Sequence, residues 1–316
     1  MGHHDSHHGH AHHHPRSFGR AFAVGISLNL AFVIAEVIFG LKADSLALLS
    51  DAGHNLSDVI GLVIAWGASW LSQWHPTDRY TYGFRRSSIL AALINALLLL
   101  VAIGGIVWEA VSRLLHPVEA HAPTIIWVAA VGVVINAFTA FMFMSGRKSD
   151  LNIRGAYLHM AADAAISAGV VVAGILISIT GIQIIDPLIS LIVAAIIFVG
   201  TWGLLRESAN LAIDAVPEQI DAEKVTRFLS ELPTVQNVHH LHIWGLSTTD
   251  VAMTAHLVLS QPDENDALLA RIREELYHRF EINHATIQFE SSESGICLTR
   301  RCTLHSCRGG GHEDEH

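Results

Sequence analysis

The longest runs of the sequence without a charged residue are long enough to cross a lipid bilayer. Residues 87–108 contain no Asp, Glu, Lys or Arg over 22 positions, and residues 122–146 contain none over 25. A helix needs about 20 mainly apolar residues to cross a hydrocarbon core of about 30 Å. Only 15% of all residues are charged, against about 25% in a typical soluble domain, so we expect an integral membrane protein rather than a soluble or disordered one.

Hydropathy predicts six spans followed by a soluble region. The spans are about 18–40, 45–72, 87–113, 122–145, 152–181 and 187–206. After residue 208 charged residues become frequent, and the periodicity predicts a helix, two strands, a helix and a strand at 221–232, 238–244, 251–260, 265–280 and 285–290. This αββαβ order is typical of a small two-layer, ferredoxin-like α/β domain. The predicted organisation is a His-rich tail (1–17), a six-helix transport domain (18–207), an α/β domain (208–291) and a Cys/His-containing tail (292–316).

Lys and Arg in short loops predict the orientation in the membrane. With six spans, one side carries only Lys42 and Arg113, whereas the other carries nine basic residues: Arg16, Arg20, Arg79, Arg85, Arg86, Arg147, Lys148, Arg154 and Arg206. Both termini are therefore expected in the cytoplasm, where the three cysteines stay reduced and form no disulfide framework. The net charge of −10 speaks against a nucleic-acid partner.

Two of the predicted spans contain the same pair of ionisable residues. The second span has His54 and Asp58, and the fifth has His159 and Asp163. Four residues make about one helical turn, so each pair lies on one face of its helix. Ionisable groups at membrane depth are costly and usually mark a functional site. Two imidazoles and two carboxylates form a ligand set that suits tetrahedral Zn²⁺, whereas Mg²⁺ prefers oxygen ligands alone.

A simpler interpretation is that each pair forms a local hydrogen bond within its helix. Two identical pairs in separate spans favour the metal site over that interpretation. Asp51 lies three residues before His54 on a similar face, and we expect it to support the ligands from outside the coordination shell. For the other polar residues within spans, interhelical hydrogen bonding is the simpler expectation; these are Asn29, Glu36, Asn95 and Asn136.

Several motifs together resemble the cation diffusion facilitator family, in particular its bacterial zinc-exporting branch. The segment Ser45–Asp58 (SLALLSDAGHNLSD) is similar to the second helix of that family, and the other matching segments are Tyr80–Arg86, Leu158–Asp163, Asp186–Ser190, His239–Trp244 and His284–Glu290. The resemblance covers about residues 18–291. It implies a homodimer in the bacterial inner membrane that exchanges cytoplasmic Zn²⁺ for external protons by alternating access, with no enzymatic activity.

The resemblance also assigns residues. It implies a transport site formed by His54, Asp58, His159 and Asp163, with the His-x-x-x-Asp form of the second helix marking zinc-preferring members. Some members carry a further histidine-based metal site between spans two and three. The matching positions here are Tyr80 and Phe84, so that site is not expected.

In the soluble domain the resemblance implies dimerisation and a regulatory Zn²⁺ site. The candidate ligands are His239, His240, His256, His284 and Glu290. Gln288 stands where some members have a ligand histidine, and ordinary surface histidines are the alternative. Strand alternation predicts that His240 and His242 share one face and that His239 points to the other.

Both tails contain metal-binding residue types without a defined ligand spacing. The N-terminal tract has eight histidines within its first 14 residues, which would bind metal weakly. Cys297, Cys302 and Cys307 lie five residues apart and lack a Cys-x-x-Cys pair, so a soft-metal tail and incidental thiols both remain open.

A ligand histidine must be neutral to bind a metal ion, so protons and Zn²⁺ compete for the same nitrogen. An unperturbed histidine titrates near pH 6.5, which allows modest external acidity to displace the ion. Two other functions are alternatives to antiport: a membrane metal sensor and an intramembrane metalloenzyme. No kinase-like or DNA-binding segment supports the sensor, and no His-Glu-x-x-His motif supports the enzyme.

Overall fold

The computed structural model describes residues 19–42, 46–116, 123–182, 184–260 and 265–291. The N-terminal histidine tract and the three cysteines of the C-terminal tail lie outside these residues. The side chains of Asp51 and His54 also lie outside the description, although the helix that carries them is described.

Six helices occupy the described part of the N-terminal two thirds of the chain. They are α1 Gly19–Lys42, α2 Leu46–Leu71, α3 Arg86–Leu115, α4 Pro123–Phe143, α5 Leu151–Thr180 and α6 Ile185–Ala212. Four stretches are long and apolar enough to cross a membrane: Gly19–Phe39, Arg86–Leu115, Leu151–Ile177 and Pro187–Ala212. The apolar stretches found in α2 and α4 are shorter, Asp58–Leu71 and Ala129–Phe143. All six helices were predicted, but six membrane crossings remain a prediction.

Helix α5 has well-defined ends. Asp150 caps its N-terminus, because the carboxylate accepts a hydrogen bond of 2.8 Å from the Asn152 backbone N–H. Gly181 ends it in the left-handed conformation (φ 71°), which glycine adopts at little cost, and donates its N–H to the Ile177 carbonyl at 2.8 Å. The cap at Asp150 fixes where the first turn of α5 begins.

The bundle buries small and aromatic side chains inside and exposes large apolar ones outside. One interior cluster joins α1, α2, α4 and α5 around Phe22, Leu62, Phe143 and Met160. Exposed apolar side chains cover the outer surface, among them Val101, Trp108, Trp127, Ile196 and Val199. A soluble protein rarely exposes so large an apolar surface, whereas a lipid-facing surface requires it.

The C-terminal domain follows the predicted αββαβ order. Its elements are α7 Ala222–Ser230, β1 Val235–Gly245, β2 Val251–Leu259, α8 Asn265–Phe280 and β3 His284–Ser291. Strand β2 is central, antiparallel to β1 and parallel to β3, and α8 forms the crossover that a parallel pair requires. The helices cover the sheet over a core that includes Leu229, Met253, Leu257, Ile272 and Leu276.

Strand β1 departs from the predicted alternation of faces. Its pairing with β2 is irregular between His239 and His242, and His240 has a positive φ of 50°. A bulge of this kind re-aims side chains. The rings of His239 and His240 consequently lie 5.2 Å apart, so the prediction that they point to opposite faces was wrong.

The turn between β1 and β2, residues 246–250, packs against the ends of α3 and α5. The Thr248 backbone N–H donates to Ser88 Oγ at 3.2 Å, and its hydroxyl donates to Asp150 Oδ1 at 3.0 Å. Both Ser247 and Thr248 are buried there. We call this contact region, formed by the turn and the facing helix ends, the junction.

Candidate metal centres

Helices α2 and α5 bring three of the predicted transport ligands together. Asp58 comes from α2, and His159 and Asp163 lie one turn apart on α5. His159 Nε2 lies 2.7 Å from Asp58 Oδ1 and 3.8 Å from Asp163 Oδ2. One possible ligand atom from each residue lies within 4.8 Å of the others, so the three side chains are close enough to share one metal ion.

All three side chains are deeply buried. Asp58 is 3% exposed, and His159 and Asp163 are each 8% exposed. Burying two carboxylates away from water is costly unless a cation or protons compensate their charge. Because Nε2 faces both carboxylates, it is the imidazole nitrogen that can share a metal ion with them.

The amide of Asn95, on α3, reaches this site between two glycines. A Cβ placed on Gly155 of α5 would lie 2.5 Å from Asn95 Nδ2. A Cβ placed on Gly61 of α2 would lie 3.6 Å from Asn95 Oδ1 and 4.0 Å from His159 Cε1. The absence of side chains at both positions lets the amide fit between α2 and α5, with its oxygen on the side of the His159 ring.

Two other buried polar residues of the bundle, Asn55 and Asn29, contact a neighbouring helix. Asn55 donates from Nδ2 to Glu36 Oε2 at 2.9 Å, which ties α2 to α1. Asn29 donates to the Gly25 carbonyl of its own helix at 2.9 Å, and the same amide group lies 3.6 Å from Met160 Sδ of α5. Glu36 and Asn29 therefore have the bonding role expected for them.

A second group of possible ligands lies on the sheet of the C-terminal domain. His239 and His256 are cross-strand partners on β1 and β2. His239 Nε2 lies 3.0 Å from Glu290 Oε2, and His256 Nδ1 lies 2.7 Å from Glu290 Oε1. Although burial acts to raise it, the hydrogen bonds from His256 and His239 hold the pKa of Glu290 below its ordinary value. Two imidazoles and a carboxylate form a partly exposed, three-ligand set.

The structure brings His240 near this group but places His284 elsewhere. The His240 ring lies 5.1 Å from the His256 ring, and partial desolvation and the neighbouring His256 and His239 lower the pKa of His240. His284 Nε2 instead lies 2.8 Å from Arg85 Nη1 at the junction. A guanidinium is only a donor, so Nε2 must accept this bond and is not available to a metal ion.

Two expectations based on the family can be located in the structure. Gln288 donates from Nε2 to Glu290 Oε1 at 3.2 Å, so it supports the carboxylate of the group. The rings of Tyr80 and Phe84 pack in a tilted arrangement with centroids 4.7 Å apart in the loop between α2 and α3, and Phe84 also contacts Trp74. Aromatic packing occupies the positions at which some family members have histidine ligands.

The polar contacts of the junction could not be predicted from the sequence. Thr248 lies 160 residues from Ser88 and 98 residues from Asp150 along the chain, and no spacing rule brings them together. The N-cap role of Asp150 could have been predicted, because an Asp immediately before the first apolar residue of a helix is a typical N-cap. Its second bond, to Thr248, depends on tertiary structure.

Comparison with known proteins identifies two family models along the chain. "Cation efflux transmembrane domain" matches residues 22–211, and "Cation efflux protein, cytoplasmic domain" matches residues 217–292. A protein named zinc transporter ZitB from Yersinia pestis is 36% identical over 92% of this chain and 93% of its own length. A Bacillus subtilis protein named cadmium, cobalt and zinc/H(+)-K(+) antiporter is 37% identical over 82% of this chain and 85% of its own.

Among solved structures, the metal-bound C-terminal domain of the CzcD transporter from Cupriavidus metallidurans is similar to part of the chain. It is 32% identical and covers 22% of this chain and 99% of its own length, with a TM-score of 0.22.

Proposed function

This chain belongs to the cation efflux family, also called the cation diffusion facilitator family, and on that premise we propose that it is a Zn²⁺/H⁺ antiporter. Its family and relatives make it an integral membrane protein for divalent metal cation efflux, and a transporter rather than an enzyme. The finer assignment is ours: Zn²⁺ is the cargo, protons are the counter-ions, and the transport site alternates between the two sides of the membrane.

The observation that carries this proposal is the convergence of Asp58, His159 and Asp163 within the bundle. One nitrogen and two oxygen ligands leave one position of a tetrahedral Zn²⁺ site to be filled. His54 lies one turn before Asp58 on α2, so we assign it as the fourth ligand and Asp51 as a supporting group outside the coordination shell. Relatives named as zinc transporters support Zn²⁺ as the cargo.

The burial of the site explains why export is coupled to protons. With neutral histidines, the two deprotonated carboxylates would place a charge of −2 at membrane depth. A divalent cation cancels this charge, and so do protons, whereas the empty deprotonated site stays costly. The site therefore reorients loaded with metal or loaded with protons, and exchange follows.

The remaining architecture is proposed by extension. Six helices cross a bacterial inner membrane, both termini face the cytoplasm, and the C-terminal domain, of ferredoxin-like fold, joins two copies into a homodimer. The match to the family's cytoplasmic domain supports this placement. We assign a regulatory Zn²⁺ site to His239, His256 and Glu290, with His240 beside it.

Zn²⁺ flux into proteoliposomes with and without an imposed pH gradient tests the proposal. Asp163→Ala removes a ligand from the site and should abolish gradient-driven flux while the protein stays folded. Glu109→Ala is the matched control, because Glu109 lies near the end of α3, exposed and paired with Arg113. It should transport like the wild type.

Three outcomes separate the possibilities. Flux that persists in Asp163→Ala would refute the transport site. Flux that ignores the pH gradient would refute proton coupling. Tight Zn²⁺ binding by the wild type with no flux under any gradient would favour a metal sensor over a transporter.

A further inference from the structure

A cavity lies at the junction, at the end of α5 that is about two turns from His159. It has a volume of about 950 Å³ and lies between the ends of α1, α2, α3 and α5 and the turn at 246–250. Its charged lining groups include Asp150, Asp250 and Arg85, and Asn152 and Ile153 line it from the first turn of α5. If the C-terminal domain lies in the cytoplasm, this cavity is on the side from which exported cations arrive.

Asn152 lines this cavity, and its amide oxygen is buried. The residue is 2% exposed, and its Nδ2 donates to the Ser88 carbonyl at 3.0 Å. That bond fixes the orientation of the amide and ties α5 to α3. Its Oδ1 has no hydrogen-bond partner among the described residues. Interhelical bonding thus explains the nitrogen and leaves the oxygen unexplained, although buried polar atoms are nearly always bonded.

A line of polar groups leads from Asn152 to the transport site. Asn152 and His159 are seven residues apart, which places them on the same face of α5 about 10 Å apart. The amide of Asn95 lies between them, against Gly155, which is one turn after Asn152. Its oxygen shares the space beside Gly61 with the His159 ring. Polar groups therefore recur at each turn of α5 between the cavity and the site.

We propose that Asn152 and Asn95 form a relay that passes an incoming divalent cation from the junction cavity to the transport site. This inference rests on the proposed export of Zn²⁺. Each amide offers a neutral oxygen, a ligand type that divalent cations accept. A neutral oxygen holds Zn²⁺ less firmly than imidazole and carboxylate do, so the ion moves on to His159 and the two aspartates. Conduction needs such intermediate sites, which bind firmly enough for the ion to enter and weakly enough for it to leave.

The test compares Zn²⁺ transport from the two sides of the membrane. Everted vesicles present the cytoplasmic face outward, so Zn²⁺ added outside measures the KM on that side, and vesicles preloaded with Zn²⁺ measure the KM on the other. Asn152→Leu should raise the cytoplasmic KM about tenfold, as loss of one polar ligand contact does, and leave the opposite KM unchanged. A purely structural defect would change both sides alike.

Two further variants complete the test. Asn152→Asp keeps the size and the oxygen but adds charge, so it should lower both the cytoplasmic KM and the maximal rate, because the ion leaves more slowly. It also reports on the relay if Asn152→Leu does not assemble. Thr201→Val is the control, since it removes a buried hydroxyl of α6 that likewise has no hydrogen-bond partner among the described residues. It should leave both KM values unchanged.

The results distinguish the relay from the proposed function. An unchanged cytoplasmic KM in Asn152→Leu, or equal shifts on both sides, would overturn the relay while wild-type flux still supports export. Absence of wild-type flux would overturn the proposed function instead.

Discussion

Replacing Gly155 with alanine tests the packing that brings Asn95 to the transport site. The new methyl group would lie 2.5 Å from Asn95 Nδ2 and 3.5 Å from both Asn95 Cγ and Leu204 Cδ2. The contact with Nδ2 is about 1 Å shorter than a normal contact between heavy atoms. The amide would have to move toward Gly61, where the His159 ring lies 4.0 Å from the position a Cβ would take. The overlap is therefore transmitted to a metal ligand.

The expected magnitude follows from two opposing effects. Overpacking of a filled interior costs about 1–3 kcal/mol. Alanine in a helix is favoured over glycine by about 1 kcal/mol, which offsets part of that cost. We expect a net loss of up to about 2 kcal/mol in the free energy of unfolding of the purified protein in detergent. Zn²⁺ flux should fall further than this loss of stability explains, because His159 is displaced.

A double-mutant cycle with Asn95→Ala gives the decisive comparison. Once the amide is removed, Gly155→Ala has space, and its cost should disappear. Gly104→Ala is the control, because a Cβ on that glycine of α3 would meet nothing within 4 Å. If Gly155→Ala costs the same with and without the Asn95 amide, the packing described here is wrong.

Two further predictions concern the C-terminal domain. The first is measured by calorimetric titration of the full chain with Zn²⁺, with the transport site disabled by Asp163→Ala. In this background Glu290→Gln should weaken Zn²⁺ binding, whereas His284→Gln should not. Equal losses in the two variants would contradict the assignment. Burial and the Arg85 guanidinium lower the pKa of His284 below its ordinary value of 6.5, so the unfolded state takes up the proton first as the pH falls. The stability from this contact is complete above pH 6.5 and is lost as the pH falls from there toward the lower pKa that His284 has in the folded state. Across this pH range the melting temperature should drop less in His284→Gln than in the wild type.

The meeting of Asp58, His159 and Asp163 could be predicted from the sequence, because ionisable residues are costly at membrane depth. An Asp or His in an otherwise apolar span is costly to bury and usually has a functional role. The four-residue spacing puts both members of a pair on one face of the helix. Asp58, His159 and Asp163 meet as expected. The bounds of α1 to α5 agree to within two residues, because uncharged runs and cap residues depend on local chemistry, whereas α6 continues to Ala212, six residues beyond its predicted end.

The histidines of β1 show where local pattern fails. Alternation predicts opposite faces for His239 and His240, but a bulge adds a residue to one strand and brings both rings to His256. Bulges depend on pairing with another strand, so a sequence window does not contain them. The same holds for His284, whose family motif suggests a ligand but whose partner, Arg85, comes from a loop 199 residues earlier in the chain.

The role proposed for the amides of Asn95 and Asn152 could not be predicted from the sequence, for a further physical reason. A neutral amide in a membrane helix costs far less than a charge, and interhelical hydrogen bonding accounts for it well enough. What distinguishes these two is the direction of their oxygens, which depends on Gly61, Gly155 and the Ser88 carbonyl in three different helices. Charged ligands can be recognised from the sequence alone, because a charged residue is costly in an otherwise apolar span. Groups that guide an ion between binding sites must bind it weakly, so they are neutral residues. Interhelical hydrogen bonding is a sufficient explanation for such residues in a sequence, and a role in ion passage does not stand out.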